Sequence, residues 1–423
     1  LAAPRKIVYV ILDGLGDRPV AALGGRTPLE AAATPHLDRL AARAQQGIVT
    51  TVGEGIAPES DVAVMAILGY DPMVYHAGRG PLEALGADID FRHGDLALRG
   101  NFATGGEGRK IIDRRVGRNL ASAEAHALAE AVTAQIEVAD VRVTVVASVE
   151  HRCAVVLRPR RARLSGQVSN TDPAYARIKG LGVAKATFKD EIEECVPLDD
   201  SPEAKASAAA VNEFTWKARA ILDAHPVNAA RRAAGKMPGN LILVRDGGDH
   251  LPHVPSLRER FGIAFGCFVE MPVERGIARL LDMGVVGVQT AQTPAETYAT
   301  WARTACEVLP KYDGVYLHLK GPDLPGHDGD ADGKRRVIED IDAHFFGTLL
   351  PLLDPAKTIV AVTADHATPC ELRGHSADPV PLLVAGGDAR PDGAGRYTER
   401  TAANGALGHI RGVDIVPLLA QRR

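Results

Sequence analysis

The feature that most constrains the fold is a set of short, continuous apolar runs that stop on acidic residues. Lys6–Leu12 reads KIVYVIL and is closed by Asp13-Gly14, DGVYLHLK leads into GPDLPGHDGD, and TIVAVTA stops on Asp365-His366. Runs this short, rich in β-branched residues and bounded by turn residues, read as strands buried on both faces, as in a parallel sheet. AFGCFVEM, GVVGVQT and PLLVAG are of the same kind, and helical segments such as AETYATWARTACEVL and GKRRVIEDIDAHFFGTLL lie between the runs. Alternating strands and helices predict an α/β core, an open doubly wound sheet with helices on both faces. In such sheets ligands gather beyond the carboxyl ends of the strands.

Two nearer signals mark helices. Thr34-Pro35 before HLDRLAARA predicts a start with Thr34 as N-cap and Pro35 in the first helical position. After the loop GEGIAPES, DVAVMAILG predicts a short amphipathic helix closed by Gly69. The middle of the chain differs. It mixes strand-like VRVTVVASV, CAVVLRP and NLILVRD with alanine-rich helical segments, SAEAHALAEAVTAQI and SPEAKASAAAVNEFTWKARAILDAH. The polar stretch Arg158 to Asp172 is expected to be an exposed loop. The expected organisation is a core of residues 1–80 and 254–423 interrupted by an inserted α+β domain, residues 81–253.

A net charge of −4 and a sequence pI near 6.4 give no reason to expect nucleic acid or an anionic membrane as a partner. No apolar run approaches the roughly 18–20 residues that span a bilayer, and no signal peptide is expected ahead of the run at Lys6. Cys153, Cys195, Cys267, Cys306 and Cys370 show no CxxC spacing. They read as reduced thiols, neither a disulfide framework nor a zinc site, and imply a cytoplasmic location.

The chemistry lies at the strand ends. Asp13, Asp323 with His327, and Asp365 with His366 all follow strand-like runs, and His375 comes nine residues after His366. Each signal alone is weak: Asp-Gly after a strand is ordinarily a turn, and D-x-x-x-H is common on helix surfaces. Their convergence at the same end of successive strands is what points to a site. Mixed carboxylate and imidazole ligands suit manganese, zinc or related divalent ions better than calcium. Ser60, in APESDVAVM, opens a predicted helix. It is either an N-cap hydroxyl, which spacing alone favours, or a nucleophile, since a helix N-terminus favours developing negative charge. His76 and His93 read as structural or surface groups; His250 and His253 flank a turn.

DGLGDRP, TPLEAAATPHLDRLA, ESDVAVMAILGYDP, GRGPLEALG, DRRVGR, LSGQVSNTDP, GPDLPGHDGD, TADHATP and HSADPVPLLV occur in that order along nearly the whole chain. Together they resemble the archaeal-type cofactor-independent phosphoglycerate mutases of the alkaline phosphatase superfamily. The resemblance implies an alkaline-phosphatase-like core with two divalent metals, of the manganese type, with magnesium, zinc or cobalt as alternatives. Asp323, His327 and His375 match the ligands of one metal; Asp13, Asp365, His366 and the nucleophile Ser60 match those of the other. It implies ping-pong transfer through phosphoserine, interconverting 3-phosphoglycerate and 2-phosphoglycerate without a bisphosphoglycerate cofactor. Two positions depart from the family pattern: Glu59 stands where a Gly commonly precedes the serine, and Arg275 stands in place of a Lys.

A mutase has to retain glycerate between two transfers, so the insert is expected to close over the core and to present arginines to carboxylate and phosphate. Arg115, Arg118 and Arg245 are the first candidates, followed by Arg114, His151, Arg152 and Arg275. The rival readings are a metal-dependent phosphohydrolase or phosphotransferase on another small phosphorylated or phosphonate acid, and a silent binding protein on the same scaffold.

Overall fold

A computed structural model of the chain describes residues 4–75, 78–178, 181–185, 187–287, 291–387 and 390–423. The chain divides into two compact units. One comprises Leu1–Tyr75, Val254–Glu270 and Ala278–Arg423; the other comprises His76–His253 and Met271–Ile277. His76 and residues 288–290 of GVVGVQT lie outside the described residues.

The first unit is built on an eight-stranded sheet. Its strands are β1 (Lys6–Leu12), β2 (Ala44–Thr50), β3 (Phe265–Phe268), β4 (Gly284–Val285), β5 (Gly314–Leu319), β6 (Thr358–Thr363), β7 (Val380–Ala385) and β8 (Gly408–Arg411). Their order is β4-β3-β5-β1-β6-β7-β2-β8. β1 runs parallel to both β5 and β6, with Ile11 opposite His318 and Thr363. Every residue of β5 and β6 is buried, as the unbroken apolar runs require. β7 enters antiparallel to β6 and to β2, so the sheet is mixed at one side. The sequence pattern leaves β2 and β8 unassigned, because AQQGIVT and GHIR carry polar residues where a buried run would be apolar.

Three helices of this unit matter for the site: α1 (Ser60–Ile67), α2 (Asp323–Asp328) and α3 (Ala331–Asp340). Residues Asp61 to Ile67 of α1 are all buried, so α1 is enclosed on every side and lacks the solvent-facing side of the amphipathic helix expected. Gly69, at φ +93°, ends that segment as anticipated. The helix Pro35–Ala41 has Thr34 at its N-cap, but the Thr34 hydroxyl bonds the Asp38 carboxylate at 3.3 Å instead of a backbone amide.

The second unit is α+β. Leu96–Gly105 is central and antiparallel to Arg152–Pro159 and to Leu241–Gly248; Val141–Ala147 pairs the far side of Arg152–Pro159, and Ile111–Asp113 joins the end of Leu96–Gly105. Helices Ser122–Gln135 and Pro202–Asp223 share one apolar core with this sheet through Leu128, Val132, Val211, Phe214 and Leu222. Ser201 caps the longer helix by accepting from Ala204 N at 3.1 Å, with Pro202 just inside.

Two expectations need correction here. The stretch Arg158 to Asp172 leaves the strand Arg152–Pro159 and is exposed at residues 160–163 as expected, but its far end is buried. Asn170, Thr171 and Asp172 are buried, with Thr171 N bonded to Val244 O at 2.9 Å and Asp172 accepting from Nε and Nη2 of Arg114. Asn170, Thr171 and Asp172 are accommodated at that end because each finds a partner. Met271–Ile277, expected in the core, belongs to the second unit. The helices Arg79–Gly86 and Pro272–Leu280 meet backbone to backbone, and a side chain at either Gly86 or Gly276 would collide with a carbonyl of the other helix. Among the described residues no helix is long and apolar enough to cross a membrane, and all five cysteines are free.

Candidate active site

Because β5, β1 and β6 are adjacent and parallel, the residues just past their carboxyl ends meet. Asp13 follows β1, Lys320 and Asp323 follow β5, and Asp365 and His366 follow β6. The turn after β1 is tight. Gly14 has φ +63°, its N–H donates to Asp365 Oδ1 at 3.1 Å, and any Cβ there would collide with Thr368 Oγ1 and the Asp323 side chain. A residue larger than glycine would push the strand ends apart.

One cluster is buried. His366 Nε2 lies 3.4 Å from Asp13 Oδ1, 3.2 Å from Asp365 Oδ2 and 3.4 Å from Ser60 Oγ. The other nitrogen of the ring, Nδ1, faces Thr368 Oγ1 at 3.1 Å, and that hydroxyl donates to Asp323 Oδ1 at 2.7 Å. The hydroxyl's proton is therefore committed to Asp323, which assigns the imidazole proton to Nδ1 and leaves Nε2 as a bare lone pair. Burial and the charge on His375 push the His366 pKa well below its usual value, consistent with a neutral ring. Asp13 Oδ1 and Asp365 Oδ2 are buried and have no hydrogen-bond partner among the described residues. Burial and the neighbouring Asp13 charge push the Asp365 pKa well up. Burial also raises Asp13, but Lys320, whose ammonium bonds Oδ2, together with His318 and His366 more than offsets it, and the pKa is lowered. Lone pairs facing each other in a buried space is an arrangement that a divalent cation relieves.

The second cluster is more open. Asp323 opens α2 and His327 lies one turn on, on the same face, with its Nε2 3.5 Å from Asp323 Oδ1. His375 Nε2 is 3.6 Å from the same oxygen. The Nδ1 atoms donate to backbone carbonyls, His327 to Arg373 at 3.1 Å and His375 to Pro58 at 2.8 Å. Such bonds orient imidazoles for a metal. His366 and His375 stack at 3.7 Å between centroids. Burial opposes a charge on His375, but Asp323 and Glu59 outweigh it and hold its pKa up at about 9. Asp323 is correspondingly lowered: burial raises it, and His375, His366 and His327 more than offset that. A metal ion bound here would compete with the proton on His375.

The spacing fits cations. Ligand atoms about 2.1 Å from a tetrahedral ion lie about 3.4 Å from one another, against 3.2 to 3.6 Å within these two groups. Asp13, Asp365, His366 and Ser60 would hold one ion; Asp323, His327 and His375 would hold the other.

Ser60 occupies the first turn of α1 with Glu59 at the N-cap position, so the capping role that spacing favours is not the one observed. Its hydroxyl faces His366 at the positive end of the helix.

Charge of the opposite sign collects in the second unit. Arg99, Arg115, Arg118 and Arg152 surround His151, whose pKa is pushed down to about 3 by burial and then by these cations. Arg118 projects from a turn in which Val116, Gly117 and Arg118 all have positive φ. Arg245 lies opposite Arg99 across the strand pair, with its guanidinium 3.3 Å over the Tyr175 ring.

A family model described as 2,3-bisphosphoglycerate-independent phosphoglycerate mutase matches residues 41–228. A protein of that name from Aeropyrum pernix is 46% identical over 421 residues, covering 97% of this chain and 98% of its own length. The chain belongs to that mutase family. A relative of the same name from Ignicoccus hospitalis is 41% identical, covering 98% of this chain and 96% of its own. Among solved structures, the PH0037 protein from Pyrococcus horikoshii matches with a TM-score of 0.81 at 32% identity, covering 100% of this chain and 99% of its own. The cofactor-independent phosphoglycerate mutase from Thermoplasma acidophilum matches at 0.64 and 34%, covering 99% of each chain.

For a member of this mutase family, the structure brings together Asp13, Ser60, Asp323, His327, Asp365, His366 and His375. It also brings together Arg115, Arg118, His151 and Arg152. Arg114 is turned to Asp172 and its guanidinium lies near Tyr175 and Phe188, and Arg275 is half-buried on the helix Pro272–Leu280. Thr368, Lys320, His318 and Arg99 take part without any sequence signal that singles them out. Thr368 lies in TADHATP and Lys320 ends DGVYLHLK, but neither spacing shows that the side chain turns toward the acids. His318, fully buried on β5, is 3.6 Å from Asp365 Oδ2.

Proposed function

We propose that the chain interconverts 3-phosphoglycerate and 2-phosphoglycerate through a phosphoserine on Ser60, with two divalent cations and without bisphosphoglycerate. The observation that carries this reading is Ser60 Oγ 3.4 Å from His366 Nε2, beside two buried carboxylate oxygens that have no hydrogen-bond partner among the described residues. Asp13, Asp365 and His366 with Ser60, and Asp323, His327 and His375, are the proposed ligand sets. Manganese suits their mixture of carboxylate and imidazole. When bound, the cations supply Lewis-acid stabilisation of charge on the attacking and leaving oxygens and lower the pKa of the serine hydroxyl.

The side chains perform the rest. Ser60 Oγ forms a bond to phosphorus as the ester bond to one glycerate hydroxyl breaks, and the departing oxygen takes up a proton. The other hydroxyl then attacks phosphoserine, gives up its proton, and returns Ser60 to its starting state, so atoms and protons balance over the cycle. The helix N-terminus of α1 favours the charge that builds on the phosphoryl oxygens. Arg115, Arg118 and Arg245, with Arg99, Arg152 and His151, are the proposed partners of carboxylate and phosphate; the planar guanidinium fork matches both. Arg114 is a weaker candidate because its Nε and Nη2 are already bonded to Asp172, and Arg275 because none of the hydrogen bonds or ion pairs among the described residues orients its side chain. Five free cysteines suit a reducing compartment, and we place the enzyme in the cytoplasm.

The deciding experiment incubates the manganese-loaded protein with 3-phosphoglycerate alone and follows phosphorus by NMR. Appearance of 2-phosphoglycerate is the expected result. Free phosphate without 2-phosphoglycerate would replace the mutase with the phosphohydrolase reading, and a strict requirement for added bisphosphoglycerate would remove the phosphoserine route.

A further inference from the structure

Behind the two ligand clusters lies a fully buried ion pair for which the reaction has no direct use. Lys334, on α3, is 0% exposed and its ammonium makes three bonds: to Asp17 Oδ2 at 2.8 Å, Thr368 O at 2.9 Å and Gly16 O at 3.1 Å. Those are all the donors an ammonium has. Asp17 is equally committed. It accepts from Arg18 N at 2.8 Å, from Cys370 N at 3.2 Å and from Cys370 Sγ at 3.2 Å.

What the pair grips is the connection between the clusters. Thr368 N donates to Gly16 O at 3.0 Å and Thr368 O accepts from Lys334, so the backbone of Thr368 is held on both sides. Its hydroxyl then touches one ligand of each cluster, His366 Nδ1 at 3.1 Å and Asp323 Oδ1 at 2.7 Å. The same loop continues through bridges of Ala367 with Leu15, Gly16 and Ser376, which tie the segment after Asp13 and the residue after His375 to it. A buried ion pair is weak evidence for stability, since an apolar pair of the same volume often serves as well or better. Its retention at this junction calls for a different reason.

We infer that Lys334 and Asp17 are positioning residues that set the separation of the two cation sites by fixing Thr368. This rests on the two-cation reading proposed above. The pair acts at a distance from the substrate: it holds the loop, the loop holds the hydroxyl, and the hydroxyl fixes how His366 and Asp323 face one another.

The test compares wild type, Lys334→Met, and the double variant Asp17→Asn/Lys334→Met, each with manganese as the probe. Lys334→Met alone leaves a buried carboxylate unpaired and is expected to lower the Tm of the metal-free protein sharply. The double variant removes both charges and is expected to recover most of that Tm. A merely structural role would then return function too. A positioning role would not: kcat stays down on the order of 100-fold, as for a displacement of about 1 Å in a catalytic group, with KM nearly unchanged. The electron paramagnetic resonance spectrum should also lose the wild-type interaction between the two manganese ions. Recovery of Tm together with wild-type kcat and spectrum overturns the inference. Should the double variant not fold, Thr368→Val and Thr368→Ser carry the test. The serine should keep the manganese spectrum and the valine should lose it; an unchanged spectrum in the valine variant overturns the inference. Failure of the wild type to bind two interacting manganese ions would instead sink the two-cation reading itself, whatever the variants do.

Discussion

The two units carry opposite electrostatic problems. At the strand ends of the first, carboxylates and imidazole lone pairs converge with Lys320 as the neighbouring cation, and Asp13 Oδ1 and Asp365 Oδ2 have no hydrogen-bond partner among the described residues. In the second, Arg99, Arg115, Arg118 and Arg152 crowd a buried histidine, and Glu83 and Glu150 are the carboxylates felt at Arg152. Each arrangement costs stability in isolation, and each is relieved by a ligand of the missing sign. Divalent cations would relieve the first and a polyanion the second. An enzyme that handles a small phosphorylated carboxylic acid with metal ions needs both deficits, and a silent scaffold would need neither.

The largest effect should come from the single atom at which chemistry is proposed. Ser60→Ala is expected to lower turnover by at least about 10⁴-fold while manganese still binds, followed by phosphorus NMR and by metal analysis of the dialysed protein. Near-normal turnover would remove the phosphoserine step. Next, chelation should inactivate the protein and manganese should restore it. Since the ions bind the folded state, each site should add about 2.7 kcal/mol of stability at a hundred times its Kd. His327→Ala should remove only the contribution of the more open site, and Asp365→Asn that of the buried one. Thermal unfolding with and without manganese separates these cases, and indifference of Tm to manganese would contradict both sites.

How far these deficits can be read in the residues themselves differs between the units. The buried parallel strands announce themselves, because a short continuous apolar run closed by turn residues suits a sheet covered on both faces and little else. The acids at the strand ends are then placed by topology alone. The insert's central strand does not announce itself. Leu96–Gly105 carries Arg99, Gly100 and Asn101 in a fully buried run, and a polar residue buried by a long-range partner, here Glu83 3.7 Å from Arg99, leaves no local trace. Lys334 shows the same limit: in GKRRVIEDIDAHFF it reads as one more solvated helix charge, and only its three distant acceptors reveal it as buried. Ser60 shows a finer one. Spacing puts it at the helix start but cannot say whether it caps, and one residue of difference, Glu59 at the N-cap, frees its hydroxyl to face His366.

On the anion-deficient side, Arg118→Gln should change binding more than folding. Arg118 is exposed, so its loss should alter stability by no more than about 0.5 kcal/mol. KM for 3-phosphoglycerate should rise on the order of 10-fold or more if its guanidinium holds carboxylate or phosphate. A large drop in Tm with KM unchanged would make Arg118 structural and would narrow the anion site to the remaining arginines.

The last effect is the most diagnostic of how the arginines act on their surroundings. His151 has a folded pKa of about 3, lowered first by burial and then by Arg152, Arg115, Arg99 and Arg118, against about 6.5 in the unfolded chain. The folded protein therefore binds fewer protons than the unfolded one below pH 6.5. Stability attributable to His151 is intact above that pH, is lost steadily as pH falls toward 3, and is constant below. At pH 5 the loss is about 2 kcal/mol. His151→Gln cannot titrate, so the stability difference between pH 8 and pH 5, measured by denaturant unfolding of the metal-free protein, should shrink by about that amount. Adding inorganic phosphate sharpens the comparison between the units. An anion among the arginines screens their charge, lets the histidine pKa rise, and should flatten the same pH dependence in wild type while leaving His151→Gln unmoved. Equal pH dependence in both proteins would mean that neither burial nor the cations lower the His151 pKa, and an unchanged pH dependence with phosphate would mean that no anion is drawn to the arginines of the second unit.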